Sequence, residues 1–151
     1  MIDHIWSLLC GKSSTDRETN NLSLFDVIEQ INLLGPVPEP GQQTLLPMPF
    51  ELISLWSRSD PTHAEESTAR IKLLAPNSVE LLTQEFPINL NPVIRLRTQM
   101  KSLAFPLSGP GRYTFTVEIR RAEANWEIVA RIPVQIEAVA QLPTGAPAAT
   151  H

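Results

Sequence analysis

Two runs late in the chain alternate apolar and polar side chains so strictly that a helix cannot hold them. In the first, Tyr113, Phe115, Val117 and Ile119 are interleaved with Arg112, Thr114, Thr116, Glu118 and Arg120. In the second, Trp126, Ile128, Ala130, Ile132, Val134 and Ile136 stand against Glu127, Arg131, Gln135 and Glu137. A period of two sends one set to a core and the other to solvent, the pattern of a strand with one wet face. A polar connection, Arg121 to Asn125, joins the runs, so they read as one long hairpin.

The same logic works backwards along the chain. Val93 to Phe105 alternates Ile94, Leu96 and Met100 with Arg95, Arg97, Gln99 and Lys101, and Pro106 and the SGPG turn close it. The segments TARIKLLAP and SVELLTQEFPINL flank Pro76-Asn77, a turn-forming pair, and suggest a second hairpin. Pro49 to Arg58, PFELISLWSR, is apolar on both faces until Ser57, which suits a central strand or one covered by a partner. Ser59 to Ser67 is polar and reads as an exposed connection. The chain holds 14 prolines against 6 glycines. Proline cannot donate to a sheet ladder and interrupts helices, so this balance fits short strands ended by stiff loops.

Asn20 to Gly35, NNLSLFDVIEQINLLG, fits two periods. As a helix it has Leu24, Ile28 and Ile31 on one face, Ser23 as N-cap with Asp26 three residues on, and Gly35-Pro36 as terminator. As a strand, Phe25, Val27, Ile31 and Leu33 share a face interrupted by Glu29. The β character of every later segment favours the strand, because a lone helix would have to cover a sheet face. Gly35 to Gln43 is expected to be an extended surface loop. The length favours a single domain over residues 1–140, and residues 141–151, small, polar and proline-bearing, are expected to form a disordered tail.

The residues Asn21, Leu22, Phe25 and Asp26, then Phe105, Pro106, Gly111, Tyr113, Phe115 and Val117, and finally Arg131, Ile132, Pro133 and Val134 form a familiar layout. Over roughly residues 2–139 the chain resembles a family of small bacterial proteins known only as a domain of unknown function. Its members read N-L-hydrophobic, F-D near the start and F-P, G-x-Y-x-F-x-V near the end. The longer proline-rich loop before Pro47 departs from that pattern. The resemblance implies an all-β, immunoglobulin-like antiparallel β-sandwich of about seven to nine strands; it supplies no catalytic residues. Tyr113, entering a strand two residues after Gly111, then resembles the tyrosine corner of such sandwiches. Trp6, Trp56 and Trp126 are read as core or rim residues.

Composition narrows the function classes. A formal charge of -4 gives no global attraction to nucleic acid or an anionic membrane. Cys10 stands alone and can form no internal disulfide, so a reducing cytoplasm is expected. The run IWSLLC does not read as a lipoprotein signal, because Asp3 replaces a basic region and Leu9 precedes the Cys. No run approaches the roughly 18 apolar residues of a membrane span. The histidines His4, His63 and His151 have no metal-ligand spacing with Cys10, and Asp60, His63, Glu65 and Glu66 lack the order of a calcium loop, so neither a metal nor a cofactor is expected. Glycines before a strand make SGPG a turn and not a phosphate cradle.

These readings converge on a non-enzymatic interaction or assembly module with a protein partner or a second copy of itself. The two-sided apolar run Leu45 to Trp56, with Leu45, Leu46, Met48, Phe50 and Trp56, is the expected contact surface. The alternative is an anion-binding face. Arg95, Arg97 and Lys101 share one side of a strand, on which side chains two residues apart lie about 6.6–7 Å from each other, with Arg112 joining if its strand is adjacent.

Overall fold

The structure, a computed structural model, describes residues 1–36 and 38–139; the tail expected over 141–151 lies outside them. The alternating runs form strands throughout: β1 (Ile2–Thr15), β2 (Leu22–Val27), β3 (Gln30–Leu34), β4 (Thr44–Leu46), β5 (Phe50–Arg58), β6 (Glu66–Leu74), β7 (Glu80–Asn89), β8 (Arg95–Ser102), β9 (Phe105–Leu107), β10 (Gly111–Ala122) and β11 (Asn125–Val139). One sheet has the order β2-β1-β5-β8, the other β3-β11-β10-β6-β7, and β4 and β9 form a short pair.

The fold is an all-β sandwich of the immunoglobulin type. In that type, strands A, B and E share one sheet and C′, C, F and G the other; here β1, β5 and β8 take the first set, and β7, β6, β10 and β11 the second. The described residues form 11 strands, above the expected seven to nine. The surplus comes from the opening stretch, which divides in two, and from the β4–β9 pair beside Pro47 and Pro106.

The ambiguous segment Asn20 to Gly35 is indeed extended, but not as one strand. β2 pairs antiparallel with β1, the chain crosses at Ile28 and Glu29, and β3 pairs parallel with β11. That pair departs from a wholly antiparallel architecture because a strand that changes sheets keeps its direction. Phe25 and Val27 are consequently exposed on the first sheet, while Ile31 and Leu33 enter the core from the second.

The inner faces pack around Phe50, Phe105, Tyr113 and Phe115, whose neighbouring rings have centroids 5.5 to 6.1 Å apart. Tilted and edge-on contacts of this kind add to the stabilisation from burial itself. The Ser108 N–H donates to the Tyr113 hydroxyl at 2.6 Å, and that hydroxyl donates to the Gly109 carbonyl at 2.6 Å. This closes the corner ahead of β10 as a tyrosine corner does. Burial pushes the Tyr113 hydroxyl above its ordinary pKa. Gly111, at φ 132°, has no substitute here, since a Cβ would stand 2.9 Å from the Pro76 ring.

Two prolines sit within strands at positions that leave one side of the strand without a ladder. Pro87 lies in β7, the edge of its sheet, and Pro133 lies in the part of β11 that β3 does not reach. Both positions tolerate a residue without an N–H and blunt an edge against further pairing.

Candidate functional site

Two surfaces concentrate the candidate chemistry, and a hairpin arm separates them. β1 and β5 stay paired only as far as Cys10 and Glu51. Beyond that point the β1–β2 hairpin folds over the outer face of the first sheet. Its position follows from contacts with β8, a strand two places away. Gln99 Nε2 donates to Ser13 Oγ at 2.8 Å, and Arg97 Nη2 donates to the Asn20 carbonyl at 2.7 Å and to Asn20 Oδ1 at 3.0 Å. The turn at the tip is tied by Asp16 Oδ1, which accepts from the Glu18 and Thr19 N–H groups, both at 2.9 Å. Those bonds hold the Asp16 carboxyl below its ordinary pKa. Asn20 and Asp26 take left-handed φ values of 60° and 55°, which their short polar side chains tolerate.

The arm accounts for burial on a face that ordinarily meets water. Ile53 points outward from β5 yet is 1% exposed, and Cys10 beside it is fully buried. Burial raises the Cys10 thiol pKa and the Glu51 charge raises it further, so the thiol stays protonated and poorly nucleophilic.

Arg95, Arg97 and Lys101 do share this outer face, opposite Ser57, Leu55 and Glu51 of β5. They are not equivalent. Lys101 Nζ lies 3.4 Å from Glu51 Oε1, and Arg97 is held by Asn20. Arg95 is exposed and bonds to no carboxylate among the described residues. β8 is also the edge of its sheet, where charged side chains discourage strand addition. Arg112 does not join them: β10 belongs to the other sheet and has β11 and β6 as neighbours.

Between the arm tip and β8 lies a hollow of about 790 Å³. Trp6 and Leu55 form its floor, one row across the sheet from Arg97; Asn20 and Leu22 wall it on the arm side, and Arg95 and Arg97 on the other.

The second surface is the open side of the sandwich. β2 reaches along β1 only to Cys10, and β3 reaches along β11 only from Gln135 onward. Among the described residues the rest of both strand edges is unpaired by other strands, and the two sheets part there around a cleft of about 500 Å³. Leu8, Leu9, Val27, Ile28, Ile132 and Pro133 line it, with Ser7 on one wall and Glu29 and Arg112 contributing opposite charges. Leu8 and Val27 are 38% and 51% exposed.

Beside this cleft runs a polar chain that strand periodicity hides. Ser7 Oγ lies 2.7 Å from His4 Nε2 and 2.7 Å from Ser54 Oγ. Residues three apart on a regular strand face opposite ways, but a bulge between His4 and Trp6 turns His4 and Ser7 to the same side. The spacing equals that of a nucleophile and its base. The remaining partner, however, is the buried Ser54 hydroxyl, and His4 stacks edge-on to Trp56 with centroids 5.2 Å apart. The chain therefore satisfies Ser54, which would otherwise be buried without a partner. Burial lowers the His4 pKa, against a weaker upward pull from its Trp6 backbone hydrogen bond.

The expected contact run Leu45 to Trp56 is corrected by its burial. Phe50 and Trp56 are 1% and 0% exposed in the core, and Trp56 Nε1 donates to Thr98 Oγ1 at 2.9 Å. Leu46 and Met48 pack against that core, and of the five only Leu45 stands free. A two-sided apolar strand needs cover on both sides, and the second sheet and the arm supply it from within the chain. Asp60, expected in a solvated loop, bonds to Thr62 and His63, while Glu65 pairs with the Met1 amino group.

No helix among the described residues is long and apolar enough to cross a membrane. No family model matches the chain, and none of the curated proteins is similar to it.

Proposed function

We propose that the protein is a non-enzymatic interaction module that engages a protein partner through the apolar cleft on the open side of the sandwich, between β1 and β11. The observation that carries this reading is the exposure of Leu8 and Val27 at the cleft. Elsewhere the chain spends a whole hairpin arm to cover Ile53. Contiguous apolar surface left open beside unpaired strand edges is characteristic of contact surfaces. The cytoplasm is part of the same proposal. Cys10, buried, protonated and unpaired, suits a reducing compartment.

The test is capture of the tagged protein from its host at physiological salt, in parallel with Leu8→Asp and Val27→Asp. The reading expects a stoichiometric protein partner that copurifies with the unaltered chain and is lost from both variants while their melting temperatures hold. Retention of that partner by both variants, or recovery of the unaltered chain alone, overturns it.

A further inference from the structure

The hollow beside β8 differs from the cleft in its electrostatics. The protein is acidic overall, with 16 carboxylate side chains against 12 lysines and arginines. Yet among the described residues the lining of this hollow includes Arg95 and Arg97 and not one carboxylate. Along the sheet the nearest acidic group is Asp3, opposite Ser57 and so two strands from Arg95, with its Oδ2 accepting from Ser59 Oγ at 2.7 Å; at the arm tip the Asp16 carboxylate does not line the hollow and is engaged by the Glu18 and Thr19 N–H groups. Two strands put their backbones about 9.5 Å apart, and among the described residues Asp3 forms no ion pair with Arg95 or Arg97.

The two guanidinium groups are prepared differently. Arg97 is fixed by the Asn20 carbonyl and side chain, and both contacts use the same nitrogen, Nη2. A guanidinium carries five N–H donors in a planar fork, so donors remain for a ligand. Arg95 is one residue pair further along the same face. The floor beneath them is apolar and partly aromatic, made by Trp6 and Leu55 in register with Arg97. Asn20 and Asn21, with Thr19, place amide and hydroxyl groups on the opposite wall. A volume of about 790 Å³ falls within the range occupied by small-molecule sites, which characteristically combine an apolar floor with a few convergent polar groups.

We propose that this hollow is a binding site for a small organic anion, an aromatic carboxylate or sulfonate, whose ring lies on Trp6 and whose charged group is held between Arg95 and Arg97. Lys101 and Arg112 have no part in it. An inorganic anion alone would leave the apolar floor unused, and a neutral ring would leave two cations without a counter-charge.

The test uses 2-naphthalenesulfonate and its neutral counterpart 2-naphthalenemethanol with the full chain, followed by calorimetry and by the indole and guanidinium N–H signals in NMR. The sulfonate is expected to bind at least about tenfold more tightly than the alcohol, a difference of about 1.4 kcal/mol. Its affinity should fall with salt, and the Trp6 indole and Arg95 and Arg97 signals should move. Arg95→Gln removes a side chain that makes no hydrogen bond or ion pair among the described residues, so the fold is preserved; it should weaken the sulfonate about tenfold and leave the alcohol unchanged. Arg131→Gln, on β11, should change neither. Equal affinity for the two probes, signal changes centred on the Leu8–Val27 cleft, or an Arg95→Gln protein that binds the sulfonate normally would each overturn the proposal. The protein-partner reading rests on Leu8 and Val27, which line the cleft and not this hollow, and is tested by its own variants.

Discussion

The outer faces of the two sheets solve one problem in opposite ways. On the second sheet, side chains facing away from the core pair with one another. Arg70 Nε donates to Glu118 Oε2 at 2.7 Å and stacks over Trp126 at 4.0 Å, and Lys72 Nζ lies 3.1 Å from Glu80 Oε1. Glu118 in turn raises the Arg70 pKa. On the first sheet the corresponding positions include Trp6, Cys10, Ile53 and Leu55, and the β1–β2 arm lies over them. A polar face satisfies itself locally through cross-strand pairs, whereas an apolar face needs more chain. The arm is that chain.

The sharpest way to break this comparison is to truncate a side chain that the sequence offered as a partner contact. Trp56→Ala should cost about 3–5 kcal/mol in denaturant unfolding, because it empties a core position and removes the donor that Thr98 accepts from. A contact residue would instead show little loss of stability and a change in association. An unaltered unfolding midpoint would mean that β5 is not held between the second sheet and the arm.

A second measurement compares the outer faces directly. Ile53→Ala should cost about 2–5 kcal/mol, as in a core, although Ile53 points away from the core. Thr116→Ala, at 4% exposure on the outer face of β10, should cost about 1 kcal/mol or less. Hydrogen exchange of the arm should accelerate in the first variant and not in the second. Equal costs would show that the arm contributes no more cover than a row of cross-strand pairs.

Much of the second sheet was legible in the sequence, and the reason lies in its wet face. Polar residues between Tyr113, Phe115, Val117 and Ile119 mark which side is out, and the β10–β11 and β6–β7 hairpins follow from turn residues such as Pro76-Asn77. Tyr113 after Gly111 announced its corner. The first sheet was only half legible. PFELISLWSR revealed a strand covered on both sides, but periodicity cannot tell a partner's cover from an arm of the same chain. The change of sheet at Ile28–Glu29 showed only as one polar residue out of step. At the candidate sites, Arg95 and Arg97 were visible as a stripe. Trp6, some 90 positions earlier, could not be joined to them without the strand order. The His4–Ser7–Ser54 chain was invisible, because a bulge breaks the alternation that the reading depends on.

The polar solution on the second sheet has its own weak point. Arg70→Met should cost about 1–3 kcal/mol, less than Ile53→Ala, because Glu118, 7% exposed, is left without its charged partner. Adding Glu118→Leu should recover most of that loss, since an apolar pair no longer strands a charge. A double variant as unstable as the single one would place the loss in the Arg70–Trp126 stacking instead of in the ion pair.

The smallest expected effect concerns the open side, where neither solution is complete. His4 has its pKa lowered by burial from an ordinary value of 6.5. In the unfolded chain the imidazole takes up a proton as the pH falls through about 6.5, while in the folded protein it resists until the pH is lower still. Between those two values the unfolded state binds more protons. Stability therefore increases as the pH rises through this window, is complete above about 6.5, and is lost on acidification. His4→Gln should flatten that part of the pH–stability curve and leave its acidic limb, which the carboxylates govern, in place. A curve with the same slope in both proteins would mean that His4 titrates alike folded and unfolded. The Ser7–Ser54 chain would then be open to water through the cleft, and the first sheet would be less closed at this edge than its centre, under the arm, requires.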